Sequence, residues 1–228
     1  MPHRRQRHLN PAAAGAVMSW DARFVAGNDG DNLPTISSRA GGTISGTCPS
    51  SYAVLKTGIR AGNSVMRFAY SQYTLDTMAS LTSGSLFIAW KNTNASAGDN
   101  IFALNETSDN RNTYLPYSGD SNTYDSFFST TRKGPVTMTG MNQSDWNIYC
   151  ATSASSAWAN YVNGGALHST GTNTVSAPSA GRFGFSFQGD YGTGGDIGAV
   201  YILNSSVSAP LRRRIEQSLA FSWKISCA

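Results

Sequence analysis

Acid–base chemistry is thinly provided for in this sequence. It holds two glutamates, Glu106 and Glu216, and three histidines, His3, His8 and His168. Glycoside hydrolysis needs a carboxylic acid and a carboxylate held about 5–9.5 Å apart. Glu216 falls in a helical pattern near the C-terminus, and Glu106 stands alone in a polar stretch. Asp120 and Asp125 are close in sequence, but in a Ser- and Gly-rich segment where aspartates usually close turns. Nucleophilic catalysis by serine or cysteine needs a histidine within reach. His3 and His8 lie at the extreme N-terminus, and His168 reads as a solvated residue in a polar loop after a hairpin. No Gly-x-Ser-x-Gly elbow or phosphate-cradling glycine loop is present. The expectation is a protein that binds rather than catalyses.

Binding chemistry is better supplied. Tyr114, Tyr117 and Tyr124 lie among Asn112, Asp120 and Asn122. Aromatic faces with polar groups beside them suit a sugar ring, which has one apolar face and a hydroxylated rim. The three tyrosines are therefore a candidate glycan platform; the alternative is that they pack a sheet edge or an interface. Asn28-Asp29-Gly30-Asp31-Asn32 concentrates oxygen ligands of the kind calcium prefers. Asp29 and Asp31 are the calcium candidates, with an Asx turn as the simpler expectation, because the full loop ending in glutamate is missing. No other cofactor is expected. Arg4, Arg5 and Arg7 form a basic leader whose guanidinium forks suit carboxylates and phosphates, so they are candidate partner-binding residues; the alternative is a solvated tail. Arg212, Arg213 and Arg214 read as a solvated helix face. Cys48, Cys150 and Cys227 are odd in number and lack Cys-x-x-Cys spacing, which argues against a disulfide framework or a zinc site. Free thiols, buried or terminal, in a reducing compartment are expected.

The elements that must position these residues are short strands. Of the 228 residues only 13% are charged, against a typical ~25%. Small polar residues fill the difference, which suits many turns and a surface that touches other protein widely. The net charge of +4 is concentrated near the two ends. No basic face with interleaved aromatics is evident, so sequence-specific nucleic-acid binding is not expected. No apolar run is long enough to span a membrane, and the leader lacks the apolar stretch of a signal peptide.

Residues 1–15 read as a basic arm and 16–228 as one domain. Val17–Trp20, Ser64–Tyr70, Leu86–Trp90, Ile101–Leu104, Trp146–Cys150, Phe183–Phe187 and Ala199–Leu203 are apolar or alternating runs. Leu86–Trp90 is continuous, as for a strand buried on both faces. Asn163-Gly164 between two runs signals a type I′ hairpin. Near the end, Leu211, Ile215, Leu219 and Trp223 recur every fourth residue after Pro210, with Ser208 placed to cap. That pattern predicts an amphipathic helix over 208–224, packed on an all-β domain whose many short strands indicate a sandwich or barrel.

The run Gly195-Asp196-Ile197-Gly198-Ala199-Val200-Tyr201-Ile202-Leu203-Asn204 resembles the closing strand of laminin G-like domains in the concanavalin A-like superfamily. Val207-Ser208, Arg214-Ile215-Glu216, Leu219-Ala220 and Trp223-Lys224 are similar to the helix that follows in phage and bacterial members. Trp146-Asn147-Ile148-Tyr149 with Tyr161-Val162-Asn163-Gly164 resembles the central hairpin, and Trp20-Asp21-Ala22 the opening strand. Ala199 and Leu203 depart from the family's acidic and tyrosine positions. The paired-glutamate strand of the related glucanases is absent. The resemblance implies an all-β, two-sheet antiparallel jelly-roll sandwich with a short C-terminal amphipathic helix and, with the arm, a virion structural protein: a capsid decoration, cement or tail-associated subunit. Its expected partners are other virion proteins (the major capsid or tail protein), with homo-oligomerisation, and its expected location is the virion, assembled in the host cytoplasm. The alternative is a carbohydrate-binding module that attaches to glycans.

Overall fold

The computed structural model describes residues 14–39, 46–48, 52–69, 71–76, 81–93, 100–103, 112–117, 122–142, 144–175, 181–184 and 194–228. The strands are β1 (Ala16–Asp21), β2 (Asn32–Leu33), β3 (Thr35–Ile36), β4 (Gly46–Thr47), β5 (Ala53–Arg60), β6 (Asn63–Ala69), β7 (Tyr73–Leu75), β8 (Gly84–Asn92) and β9 (Asn100–Ala103). They continue with β10 (Asn112–Tyr117), β11 (Asn122–Asp125), β12 (Lys133–Thr137), β13 (Asn147–Ala154), β14 (Ala157–Val162), β15 (Gly165–Thr170), β16 (Gly181–Phe183) and β17 (Gly194–Leu203), and the helix α1 spans Ala209–Trp223. One sheet runs β15-β14-β13-β8-β17-β6-β5-β2, with β1 also paired to β17. The other runs β12-β11-β10-β9-β16-β7-β4-β3. Every pairing is antiparallel, and the two sheets make the expected sandwich with a C-terminal helix.

The first sheet is covered on both faces, and this changes how its alternation must be read. In β13 all but the last residue are buried. Tyr149 faces the opposite sheet, where its hydroxyl meets Asp125. Trp146, just before β13, stacks on Trp223 of α1 at 5.2 Å between ring centroids. The alternation there separates two buried partners rather than core from solvent. Central β8 is nearly all buried, as its continuous apolar run predicts, and so are all ten residues of β17. Gly198 lies where β17 slips register against β8. A Cβ there would stand 2.6 Å from the Trp223 ring, so the indole lies flat on bare backbone. The Asn163-Gly164 hairpin is confirmed: both residues have positive φ, at 48° and 82°.

The helix departs from expectation in two ways. Ser208 is the N-cap, but its side chain makes no capping bond; its carbonyl accepts from Arg212 N at 2.9 Å. Arg212 and Glu216 are not on a solvated face. Both are buried, they pair at 2.5 Å one turn apart, and the Arg212 guanidinium lies 3.7 Å over the Tyr161 ring of β14. Only Arg213 and Arg214 of that trio are exposed. Burial raises the Glu216 carboxyl against the opposing pull of Arg212. At the far end Arg60 Nε and Nη2 donate to the Trp223 and Lys224 carbonyls at 2.9 and 2.6 Å. Asn63 Nδ2 donates to the Ser222 carbonyl at 2.8 Å. The orphan carbonyls and the negative end of the helix are thus met by a hairpin distant in sequence.

Gly198→Ala is expected to lower unfolding stability by about 1–3 kcal/mol through overpacking against Trp223. Gly171→Ala, whose Cβ meets only Ser156 O at 3.9 Å, should change it by less than about 0.5 kcal/mol. Urea midpoints of the two variants check this; equal midpoints contradict it.

Candidate functional site

At one side of the sandwich the last strand of each sheet faces the other: β12 of the second sheet and β15 of the first. Between them opens a cleft of about 380 Å³. Arg132, Lys133 and Pro135 form one wall, and His168, Thr170 and Thr172 the other. Lys133 Nζ donates to Thr131 Oγ1 at 2.8 Å and reaches the Thr172 carbonyl across the cleft at 3.4 Å. Partial burial lowers the Lys133 ammonium below its ordinary range. The Arg132 guanidinium lies 5.1 Å from the centroid of the Tyr124 ring, within cation–π range. Thr172 N donates to Thr170 Oγ1 at 3.1 Å, and the two threonine hydroxyls share a bond of 3.0 Å. His168 is exposed on β15, with its ring 6.2 Å from Trp158. Among the described residues no carboxylate stands in the cleft wall.

Beneath the cleft a buried polar chain ties its walls together. Asp125 ends β11, is paired in register with Lys133, and is fully buried. Its carboxylate accepts from Thr113 Oγ1 and Phe127 N, each at 2.7 Å, and from the Tyr149 hydroxyl. Asn160 Nδ2 of β14 donates to that same hydroxyl at 3.1 Å. The register of β14 against β15 slips between Asn160 and Tyr161. There Asn160 Oδ1 serves as acceptor for His168 N at 3.1 Å. Burial raises the Asp125 carboxyl to about 6 against the lowering effect of its donors, and burial followed by the Asp125 charge pushes the Tyr149 phenol well up. Asp125 was expected in a turn; it bonds Phe127 N as a turn aspartate does, but its place is a strand end in the core. Shut away from solvent, it holds structure and is not presented to a ligand.

The structure brings some of the expected site residues to this place. Tyr124 lies on β11, half-buried beside Arg132. Tyr114 is its register partner on β10, and Tyr117 pairs with Asn122, so the three tyrosines lie on two paired strands. His168 sits on an edge strand rather than in the loop expected for it, and it is solvated as expected. Asp29 and Asp31 serve different partners: Asp29 accepts from Lys56 Nζ at 2.7 Å and Thr57 N at 2.9 Å, and Asp31 Oδ2 from Asn28 N at 2.7 Å. The Lys56 bond, then that of Thr57 N, holds the Asp29 carboxyl below its usual range. Among the described residues no three acidic, His or Cys side chains gather as a metal site. Cys48 and Cys150 are buried free thiols and Cys227 a partly exposed one. Among the described residues no helix is long and apolar enough to cross a membrane. Arg4, Arg5, Arg7, Glu106, Asp120, Phe185 and Phe187 lie outside the described residues.

Sequence reasoning missed Arg132, Lys133, Thr170 and Thr172. The signal available was the dipeptide Arg132-Lys133 directly before Gly134-Pro135, a charged turn in a chain otherwise poor in charge. A second groove, of about 510 Å³, lies beside the end of α1 and is lined by Arg23, Ala61, Asn63, Phe221 and Lys224. Among the described residues it too has no carboxylate in its wall.

No protein-family model and no curated protein matches this sequence. Solved structures do share the fold. The receptor-binding domain of botulinum neurotoxin mosaic serotype C/D aligns with a TM-score of 0.62 at 11% identity, covering 89% of this chain and 50% of that one. A Trypanosoma rangeli sialidase, in complex with the inhibitor DANA, aligns at 0.58 and 10% identity over 94% of this chain and 35% of that one. Domain 4 of AbnA, an extracellular arabinanase from Geobacillus stearothermophilus, in complex with arabinotriose, aligns at 0.52 and 16% identity over 90% of this chain and 98% of that domain. The chain thus spans about half of the toxin domain and about a third of the sialidase. At these identities the likeness is one of β-sandwich fold. None of these three structures is named for a virion role, and one is named for its complex with arabinotriose.

A carboxyl raised to about 6 in the fold, against ~3.9 in the unfolded chain, binds its proton more readily when folded. Its contribution to stability is therefore complete below about pH 4 and is lost as pH rises through about 6. Relative to Asp125→Asn, the native protein should gain about 2 kcal/mol of stability between pH 7.5 and pH 4.5. Parallel pH–stability curves for the two proteins contradict this placement of Asp125.

Proposed function

We propose that the chain is a glycan-binding domain of the concanavalin A-like kind, holding sugar in the cleft between β12 and β15. One observation carries the reading: an open cleft walled by hydroxyl and cationic donors, with the part-exposed Tyr124 ring beside it. A sugar stacks its apolar face on such a ring and hydrogen-bonds its hydroxyls to the wall. Two neighbours in fold are named for complexes with a bound arabinotriose or inhibitor, and another for receptor binding, which supports a binding role for this type of sandwich. Binding is the reading the cleft favours over hydrolysis, because among the described residues its wall supplies hydroxyl and cationic donors and no carboxylate to act as acid or base.

An array of neutral and acidic glycans probed with the purified chain should show binding. Tyr124→Ala should weaken the best ligand about tenfold or more while the unfolding midpoint stays within about 1 kcal/mol of the parent. No binding to any glycan on the array, or unchanged affinity in Tyr124→Ala, refutes this reading.

A further inference from the structure

We infer that the protein carries a second binding surface, at the C-terminal end of α1, which docks on anionic lipid headgroups. It is independent of the glycan reading of the β12–β15 cleft. Among the described residues the exposed large apolar side chains are Phe24, Tyr52, Ile59 and Phe221, at 55%, 39%, 40% and 61%. Three of these four adjoin residues fastened to the end of α1. Arg23, next to Phe24, donates to Ser222 Oγ at 2.6 Å, and Ser222 follows Phe221. Arg60, next to Ile59, donates to the Trp223 and Lys224 carbonyls. The short helical turn Ala22–Phe24 and the β5–β6 hairpin thus bring their apolar side chains to the last turn of α1. Exposed apolar side chains gathered in one place mark a docking surface.

Charge says what docks there. Arg213, Arg214, Gln217, Phe221 and Lys224 are all exposed, and their spacing of three and four places them on one face of the helix. Glu216 is the one acidic residue of α1, and it is buried against Arg212. The Arg39 guanidinium lies 3.5 Å over the Phe24 ring and sets a cation beside that apolar tip. Arg23 and Arg60 add little, because Asp21 and Asp145 stand against them at 2.5 and 3.5 Å. Arg39, Arg213, Arg214 and Lys224 therefore supply the charge. A second copy of the same surface would be repelled. An anionic bilayer suits the combination: cations rest among the headgroups, and apolar tips reach the acyl boundary just beneath. It also demands no fixed spacing between them.

The test is co-sedimentation of the full chain with vesicles at about 0.15 M salt. One set is phosphatidylcholine alone, and the other contains about 30% phosphatidylserine. The anionic vesicles should bind the chain about tenfold or more tightly, and raising the salt should weaken that binding. Phe24→Ala and Phe221→Ala should each weaken it about threefold or more with little change in the unfolding midpoint, since both rings are exposed. Arg213→Gln, Arg214→Gln and Lys224→Gln together should bring the preference within about twofold. Arg132→Gln with Lys133→Gln removes charge from the β12–β15 side and should keep the preference. Equal binding to the two vesicles overturns the inference. So does a preference that survives the triple change, one lost equally in the Arg132/Lys133 variant, or one indifferent to both phenylalanines. Soluble polyglutamate bound as tightly as the anionic vesicles overturns it too and points to an acidic protein instead. Glycan binding stands or falls separately in every case, on the array and Tyr124→Ala.

Discussion

The structure around the cleft depends on one buried hydrogen-bonded chain. It runs from Asp125 on β11 to the Tyr149 hydroxyl on β13, on to Asn160 on β14, and ends at the backbone N–H of His168 on β15. It thereby crosses from one sheet to the other and joins the two walls of the cleft. A buried carboxylate is tolerable only because four donors reach it, from Thr113, Tyr149 and the backbone of Ser126 and Phe127, and each lost donor would cost about 1–3 kcal/mol. Burial still outweighs those donors, as the raised Asp125 carboxyl shows. Because every member satisfies the next, no one of them can move alone. The spacing of the two edge strands is therefore fixed from below.

The same logic of covering both sides governs the rest of the first sheet. Its inner face meets the second sheet, and its outer face meets α1. The helix is fastened at three kinds of contact: Trp223 flat on Gly198, Arg212 over Tyr161 beside Glu216, and Arg60 with Asn63 at the terminal carbonyls. A second polar cluster binds the opening strand to this assembly. Arg23 holds Asp21 with its Nε at 2.9 Å and donates to Ser222 Oγ at 2.6 Å, and the Tyr201 hydroxyl donates to Asp21 at 2.9 Å. With the centre so committed, β12 and β15 are left as the facing edges of the two sheets, and an edge is where a ligand can enter without disturbing the core.

Much of the architecture was legible in the sequence. The apolar runs at β6, β8 and β17, the Asn163-Gly164 turn and the four-residue spacing of α1 each report a local rule, and each local rule held. What escaped was pairwise and long-range. Nothing local marks Arg212 and Glu216 as buried, because their burial comes from Tyr161 of another element. Nothing local marks Asp125 as a core residue in a segment of serines and glycines. The cleft was half legible: Tyr124 stood out as an aromatic among polar residues, whereas its neighbours Arg132, Lys133, Thr170 and Thr172 become a site only when two sheet edges meet.

Native-state hydrogen exchange in Tyr149→Phe tests the central claim most directly. Removing one hydroxyl frees Asn160 and should loosen the His168 amide that leans on it, speeding its exchange about tenfold or more. The amide of Tyr201, in the ladder between β1 and β17, should change far less. If the His168 amide exchanges as slowly as before, or if both amides speed up by the same factor, the buried chain does not set the cleft.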